Sequence, residues 1–434
     1  MPEHVPSAAD PAAAPAAART VEPTAGPATE RTVPPRDKSF PAELIGRPIT
    51  ALDAPLSTFS TPLLVLEESA IAHNLQVMAR WTEQRGLELM PHGKTTMAPA
   101  LWARQLAAGC TGITVATGWQ ADLALRAGTA TVQLANTCTD PALLRRLAAH
   151  LAEHPEQELV CWVDSLDTID LLERELPAGS SLGVLVELGA DGARTGARDD
   201  AGARELGERI AASAVLHLVG AAGYEGAIAH DRSPGSLAAV SAYCERLAAL
   251  AESLRPLIEG TPWVSAGGSA YFDLVADAFA PLSGMRRILR SGAYIVHDSG
   301  FYRGISPLDA SRGLADQDAL LPGMRAHARV VSMPEPGLAL LDAGKRDVPF
   351  DEGLPVPLGV ALALGGPERP LDGEVTALND QHTFLRHARS TELAIGDVVT
   401  LGLSHPCTAF DKWRLIPIVD SATGTVHEAV ETFF

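Results

Sequence analysis

Positive charge is what this 434-residue chain lacks most: 34 lysines and arginines stand against 53 aspartates and glutamates, a net charge of -19. So acidic a chain repels phosphate backbones, which excludes nucleic acid as an expected partner. Cysteine is scarce too. Cys110, Cys138, Cys161, Cys244 and Cys407 lie at no paired spacing, and their odd number argues against a disulfide framework and for a reduced, cytoplasmic protein. No apolar run approaches the roughly 18 residues a membrane-crossing helix requires, so no membrane partner is expected. The N-terminus has neither the basic n-region nor the compact apolar core of a secretory signal, and no targeting segment is expected there.

What is present suffices for a sizeable core, with 46% hydrophobic and 20% charged residues. The length predicts two domains, or a large barrel with an appendage. Residues 1–38 are rich in Ala, Pro, Thr and Glu, with prolines breaking every candidate helix and little to bury, so a disordered tail is expected. Residues 39–60 are expected to associate with a C-terminal β domain. Leu63 to Leu66 reads as a strand entered through Pro62, and the sequence leaves open whether it joins that domain or begins the barrel.

From there, β-prone runs alternate with helical stretches: Leu87 to Met90, Gly112 to Ala116, Thr131 to Ala135, Leu159 to Val163, Leu182 to Leu188, Val215 to Ala221, Trp263 to Ala266 and Arg287 to Arg290. Eight parallel βα units predict a (β/α)8 barrel of TIM type over residues 61–305, with an open doubly wound sheet as the alternative. Beyond Gly300 the runs Met324 to Leu341, Gly359 to Leu364, Leu371 to Leu378 and Asp397 to Leu403 are separated by Gly, Pro and Asp turns, without helical pattern. They predict an antiparallel β domain over residues 306–434.

In such barrels chemistry sits where strands end, on the face made by the βα loops. The stretch Met90-Pro-His-Gly-Lys-Thr-Thr96 delivers Lys94, with His92, to the mouth of a strand-to-helix turn, where burial lowers the pKa of an amine toward that of a nucleophile. Arg194, in Asp191-Gly-Ala-Arg-Thr-Gly196, can donate a fork of hydrogen bonds to an oxyanion; alone it is equally a surface ion pair. Tyr224, in Gly223-Tyr-Glu-Gly226, either packs between its glycines or meets a ring nitrogen. Gly267, Gly268 and Ser269 follow the seventh strand, where loops of this fold cradle phosphate, and Gly292 and Tyr294 follow the eighth. Near the C-terminus, Ser404-His-Pro-Cys407 sets an imidazole and a thiol across a proline expected to keep the backbone extended, so that both side chains face one way. Histidine and cysteine together suit zinc, and two ligands leave positions open as a catalytic site requires.

In this order, together with Leu289-Arg-Ser-Gly-Ala-Tyr294, these stretches resemble the D-serine dehydratase and D-threonine aldolase family, over roughly residues 60–434. The resemblance implies an alanine racemase-like barrel holding pyridoxal 5'-phosphate, and a β domain bearing a divalent metal. By it, Lys94 would bind the cofactor covalently and Arg194 would approach its phenolic oxygen. Tyr224 would face its ring nitrogen, Gly267, Gly268 and Ser269 its phosphate, and His405 and Cys407 would hold the metal. The aldolase branch typically has Asp at the position of Cys407, which favours the dehydratase branch and zinc. Two stretches depart from the family: Thr95-Thr96 stands for its Thr-His, and Asn379-Asp380-Gln381-His382 for an acidic-acidic-His-Gly run.

The implied reaction is β-elimination of water from a D-β-hydroxy amino acid, giving a 2-keto acid and ammonia. Retro-aldol cleavage to glycine and an aldehyde would use the same groups, and a non-catalytic pyridoxal phosphate carrier is the binding-protein alternative. A racemase would need a second base, for which the sequence offers no well-placed candidate. A homodimer is expected by analogy with the family, in which one subunit's β domain completes the other's site.

Overall fold

The short apolar runs become parallel strands because each is covered on both faces, by the barrel interior on one and by a helix on the other. In the computed structural model, which describes residues 31–180 and 182–434, the barrel strands are Glu88–Leu89, Ile113–Val115, Thr131–Leu134, Glu158–Val163, Leu182–Leu188, Leu216–Gly223, Trp263–Ala266 and Arg286–Leu289. They make one eight-stranded parallel sheet. Ile288 of the last strand lies opposite Glu88 of the first. A parallel bridge from His92 to Thr114 joins the first strand to the second, so the ring closes and the open-sheet alternative falls. Val160, Trp162, Leu185, Trp263 and Ile288 pack together in a cluster apart from the main hydrophobic core.

Helix ends follow local chemistry. Pro141–Glu153 begins at Asp140, whose carboxylate accepts the free amides of Ala142 and Leu143 while Pro141 occupies the first turn. Its buried side turns Leu144 and Leu147 inward.

Leu63–Glu67 is not part of the barrel, and the boundary expected at residue 61 moves accordingly. Its residues are all buried, and it is flanked on both edges: Leu64 pairs antiparallel with Ala326 and Leu66 parallel with Ile418. A strand buried on every side belongs inside a sheet, so the barrel begins at Glu88, after helix Glu68–Glu83. That parallel pair also makes the second, ten-stranded sheet mixed instead of purely antiparallel. The run Met324 to Leu341 is a hairpin, Met324–Glu335 and Leu338–Leu341, turning at Gly337 with φ 78°. Strands Thr383–His387, Leu415–Asp420 and Thr425–Glu431 complete the domain beyond the expected set.

Between residues 39 and 60, Ala54 pairs with Val426, and Leu44, Leu52 and Phe59 share a core with Leu415. The expected tail lies outside the described residues up to residue 30. Its last part is ordered, because Val33 is buried in that same core and the Lys38 ammonium sits 3.9 Å over the Trp413 ring. All five cysteines are free. Among the described residues no helix is long and apolar enough to cross a membrane.

Candidate active site

After the first barrel strand, Gly93–Thr95 forms one turn of 3-10 helix before helix Pro99–Ala107. A Cβ on Gly93 would fall 2.9 Å from the Trp102 ring, whose Nε1 donates to the Gly93 carbonyl at 3.2 Å. Glycine therefore lets the turn rest on Trp102 and present Lys94. Burial lowers the Lys94 pKa; the Cys407 sulfur opposes this, while Arg194 and Arg290 push the same way as burial. His92 is held neutral, its pKa well below the usual value through burial and the positive charges of Lys94, Arg290 and Arg194. Its Nδ1 is buried without a hydrogen-bond partner.

Tyr224 follows the sixth strand, and its amide donates to the Tyr243 hydroxyl at 3.0 Å. Two glycines make room for its ring: a Cβ on Gly268 would lie 2.9 Å from Cε2, and one on Gly226 2.4 Å from the hydroxyl. Burial raises the Tyr224 pKa, keeping the phenol protonated. The Arg194 guanidinium lies 4.5 Å over this ring and has no hydrogen-bond partner among the described residues.

Three expectations need correcting. The amides of Gly267 and Gly268 do not form an open cradle: they donate to the Glu225 carboxylate at 3.0 and 2.5 Å. Glu225 is fully buried, and a buried carboxylate must find donors, which the strand end supplies. Ser269 lies just beyond, its hydroxyl accepting from the Ala293 amide at 3.3 Å. Tyr294 is buried with its hydroxyl 3.8 Å from Cys110, between the barrel and helix Pro99–Ala107, so it packs the wall instead of facing Lys94. Gly292 serves close approach: a Cβ there would fall 2.5 Å from the His92 carbonyl oxygen.

His405 and Cys407 do converge, by a route other than extended backbone. His405 adopts a left-handed conformation, φ 44° and ψ 87°, as the cap of helix Pro406–Phe410. Pro406 suits the first helical position, and the Asp298 carboxylate accepts the His405 amide at 3.0 Å. His405 Nδ1 lies 2.5 Å from Asp351, and Cys407 Sγ lies 3.7 Å from the Thr95 hydroxyl beside Lys94. Burial opposes protonation of His405, yet its bond to the Cys407 sulfur and the Asp351 carboxylate push its pKa up to about 9. The chain thus brings its own Cys407 beside the turn that carries its own lysine. His382 sits exposed on the turn between strands Gly373–Leu378 and Thr383–His387, where its carbonyl accepts the Asn379 amide.

Sequence reasoning missed the roles of Arg290, Glu187, Asp298 and Asp351. Arg290 is fully buried, donating to Ser265 Oγ at 2.9 Å and to the Gly223 carbonyl at 2.6 Å while lying 4.7 Å over the Trp162 ring. Burial pulls its pKa down to about 10, and its Nε has no partner. Glu187 accepts from the Thr195 hydroxyl at 2.9 Å, leaves its other oxygen buried and unpaired, and is pushed by burial to about 6. A charge at the end of an apolar run was the available signal for both. Asp298 and Asp351 lie in loops without a sequence signature. Among the described residues no three His, Cys, Asp or Glu side chains gather for a metal ion, so His405 and Cys407 stand as a pair.

The closed (β/α)8 barrel followed by a mixed β domain is a fold shared with alanine racemase-like proteins. Alanine racemase from Bacillus anthracis superposes over 85% of this chain and 97% of its own with a TM-score of 0.57, at 15% identity, a likeness of fold alone. Residues 323–419 match the model of the putative serine dehydratase domain. D-threonine aldolase from Arthrobacter sp. is 28% identical over 361 residues, 82% of this chain and 88% of that protein. D-threo-3-hydroxyaspartate dehydratase from Delftia sp. strain HT23 is 28% identical over 392 residues, 87% of this chain and 94% of that protein. The D-threonine aldolase structure from Filomicrobium marinum superposes over 88% of this chain and 97% of its own, with a TM-score of 0.74 and 26% identity. Along most of its length the chain is thus similar to D-threonine aldolases and a D-threo-3-hydroxyaspartate dehydratase, on a shared alanine racemase-like fold.

Proposed function

We propose that this chain is a lyase dependent on pyridoxal 5'-phosphate and zinc, which removes water from a D-β-hydroxy amino acid to give a 2-keto acid and ammonia. One observation carries the reading: the Cys407 sulfur of the β domain lies 3.7 Å from the hydroxyl of Thr95, the residue next to Lys94 on the barrel turn.

The residues fit the cofactor. His92 Nδ1 and Arg290 Nε are buried polar atoms without partners, Arg194 keeps its guanidinium free, and Gly226 and Gly268 leave a wall that side chains would fill. Lys94 would hold the cofactor, with Arg194 beside the phenolic oxygen and Tyr224 at the ring nitrogen. Ser269 and the turn at Gly292 would face the phosphate, while Gly267 and Gly268 contribute by anchoring Glu225 next to Tyr224. When bound, pyridoxal phosphate supplies a sink for the electrons left at Cα. Lys94, its pKa lowered by burial, takes the Cα proton at Nζ. Tyr224 stays protonated and offers the ring a neutral hydroxyl.

The donor set also fits zinc. Asp351 occupies His405 Nδ1, which leaves Nε2 and the Cys407 sulfur as one nitrogen and one sulfur ligand with positions open for substrate. The metal would supply a Lewis acid for the departing β-hydroxyl. Two solved variants of D-threo-3-hydroxyaspartate dehydratase replace a histidine and a cysteine two positions apart, the spacing of His405 and Cys407, and the cysteine variant is in a metal-free form. This parallel supports the dehydratase reading.

Cleavage of Cα–Cβ to glycine and an aldehyde is the second reading, favoured by the similarity to D-threonine aldolase. A homodimer belongs to the proposal as well: Leu354, Val356 and Leu358 are exposed apolar side chains along one segment that passes the site at Asp351. The test offers D- and L-β-hydroxy amino acids to the protein loaded with pyridoxal phosphate and zinc, with keto acid and aldehyde assayed together. Keto acid and ammonia from D-isomers is the expected result; aldehyde and glycine would establish the aldolase reading, and no product from any β-hydroxy amino acid would refute both.

A further inference from the structure

We propose that Asp351 is a positioning residue that fixes the ring of His405 for metal binding, an inference that rests on reading His405 and Cys407 as metal ligands. Asp351 lies between strands Leu338–Leu341 and Val356–Ala361, 54 positions before His405. Its Oδ2 is 2.5 Å from His405 Nδ1, and its Oδ1 accepts from the Thr408 hydroxyl at 2.7 Å. Both carboxylate oxygens are therefore engaged, and the group is held by two side chains of the short helix it faces.

The peptide and the ring of His405 are restrained separately. Asp298 fixes the peptide: one oxygen accepts the His405 amide at 3.0 Å, and the other accepts the amides of Gly300, Tyr302 and Arg303 at 3.1, 2.8 and 3.3 Å. A non-glycine residue at φ 44° is strained, and such strain persists only where surrounding contacts impose it. With the peptide fixed, rotation of the imidazole is the freedom that remains. Asp351 removes it. A carboxylate on Nδ1 also holds a proton on that nitrogen, which leaves Nε2 as the nitrogen a metal would take.

Asp351 is not itself a third ligand in this arrangement. The two nitrogens of an imidazole point away from each other, so a carboxylate on Nδ1 lies on the far side of the ring from a metal on Nε2. The alternative, an ordinary ion pair on the protein surface, would leave metal affinity untouched when the carboxylate is neutralised.

The test compares wild type, Asp351→Asn, Thr408→Val and Cys407→Ala, each loaded with pyridoxal phosphate. Zinc affinity is read by competition with a chromophoric chelator, cofactor occupancy by visible absorbance and folding by circular dichroism. Loss of such an outer carboxylate weakens metal binding by about 10–100-fold. Asp351→Asn is expected to lose zinc affinity in that range with cofactor occupancy and dichroism unchanged, and Thr408→Val to lose less in the same direction. Wild-type zinc affinity in Asp351→Asn overturns the positioning role while Cys407→Ala, if it still loses zinc, preserves the metal site. Should Asp351→Asn fail to fold, unchanged affinity in Thr408→Val overturns the role instead. A wild type that binds no zinc removes the metal reading itself, and the role of Asp351 with it.

Discussion

The Cys407 sulfur lies 3.7 Å from the Thr95 hydroxyl although 312 positions separate them. That contact seats the helix Pro406–Phe410 of the β domain on the barrel turn that carries Lys94. Asp298, just past the last barrel strand, reinforces it by binding the His405 amide. The juncture of the two domains and the candidate active site are thus the same place.

Lys94→Ala should abolish the visible absorbance of bound cofactor and all turnover, while leaving the fold intact, because the Lys94 side chain makes no hydrogen bond among the described residues. Absorbance spectra of protein purified with excess pyridoxal phosphate check this. Retained absorbance in the variant would remove Lys94 from its assigned role.

Chelation should stop product formation and leave the cofactor in place, since the proposed ligands His405 and Cys407 come from a different domain than the lysine. Cys407→Ala should do the same without chelator. Undiminished turnover in metal-free protein would take zinc out of the reaction.

Gly292→Ala should cost about 1–3 kcal/mol, the usual range for forced overpacking. Its Cβ would meet the His92 carbonyl oxygen at 2.5 Å and the Thr95 hydroxyl at 2.9 Å, so the eighth strand's loop must move off the Lys94 turn. A lowered melting temperature with weakened cofactor binding is expected; a variant matching wild type in both would show that the close approach is not needed.

His327 should contribute an acid-sensitive step in stability. Burial, aided by Arg325, pulls its pKa down to about 4, and its Nδ1 lies 3.2 Å from Thr400, which in turn donates to Glu368. The fold favours the neutral ring, so its contribution is present above the unfolded value near 6.5 and is lost as pH falls through about 4. At about 1.4 kcal/mol per unit, the loss across that window is about 3 kcal/mol. Denaturant titrations between those limits should show a flatter curve for His327→Gln. Parallel curves for the two proteins would contradict the assignment.

Legibility in the sequence followed burial. Runs such as Leu182 to Leu188 read as strands because parallel strands covered on both faces are continuously apolar. Leu63–Glu67 carries the same signature, and nothing in its residues says which of two sheets will enclose it. Leu415–Asp420 escaped notice because Pro417 interrupts it; that proline pairs with Ala429 at a point where no strand lies on its other side. Lys94, Arg194, Tyr224, His405 and Cys407 were visible as motifs at strand ends and turns. Their supports were not: Arg290, Asp298 and Asp351 act through contacts to residues 67, 107 and 54 positions away, which only the folded chain brings together.

The most direct measurement is anomalous diffraction at the zinc edge from crystals of the protein loaded with pyridoxal phosphate and zinc. A single strong peak between His405 Nε2 and Cys407 Sγ, facing a cofactor joined to Lys94, is the expected result. A peak elsewhere in the molecule, or a cofactor lodged away from Lys94, would contradict the shared site.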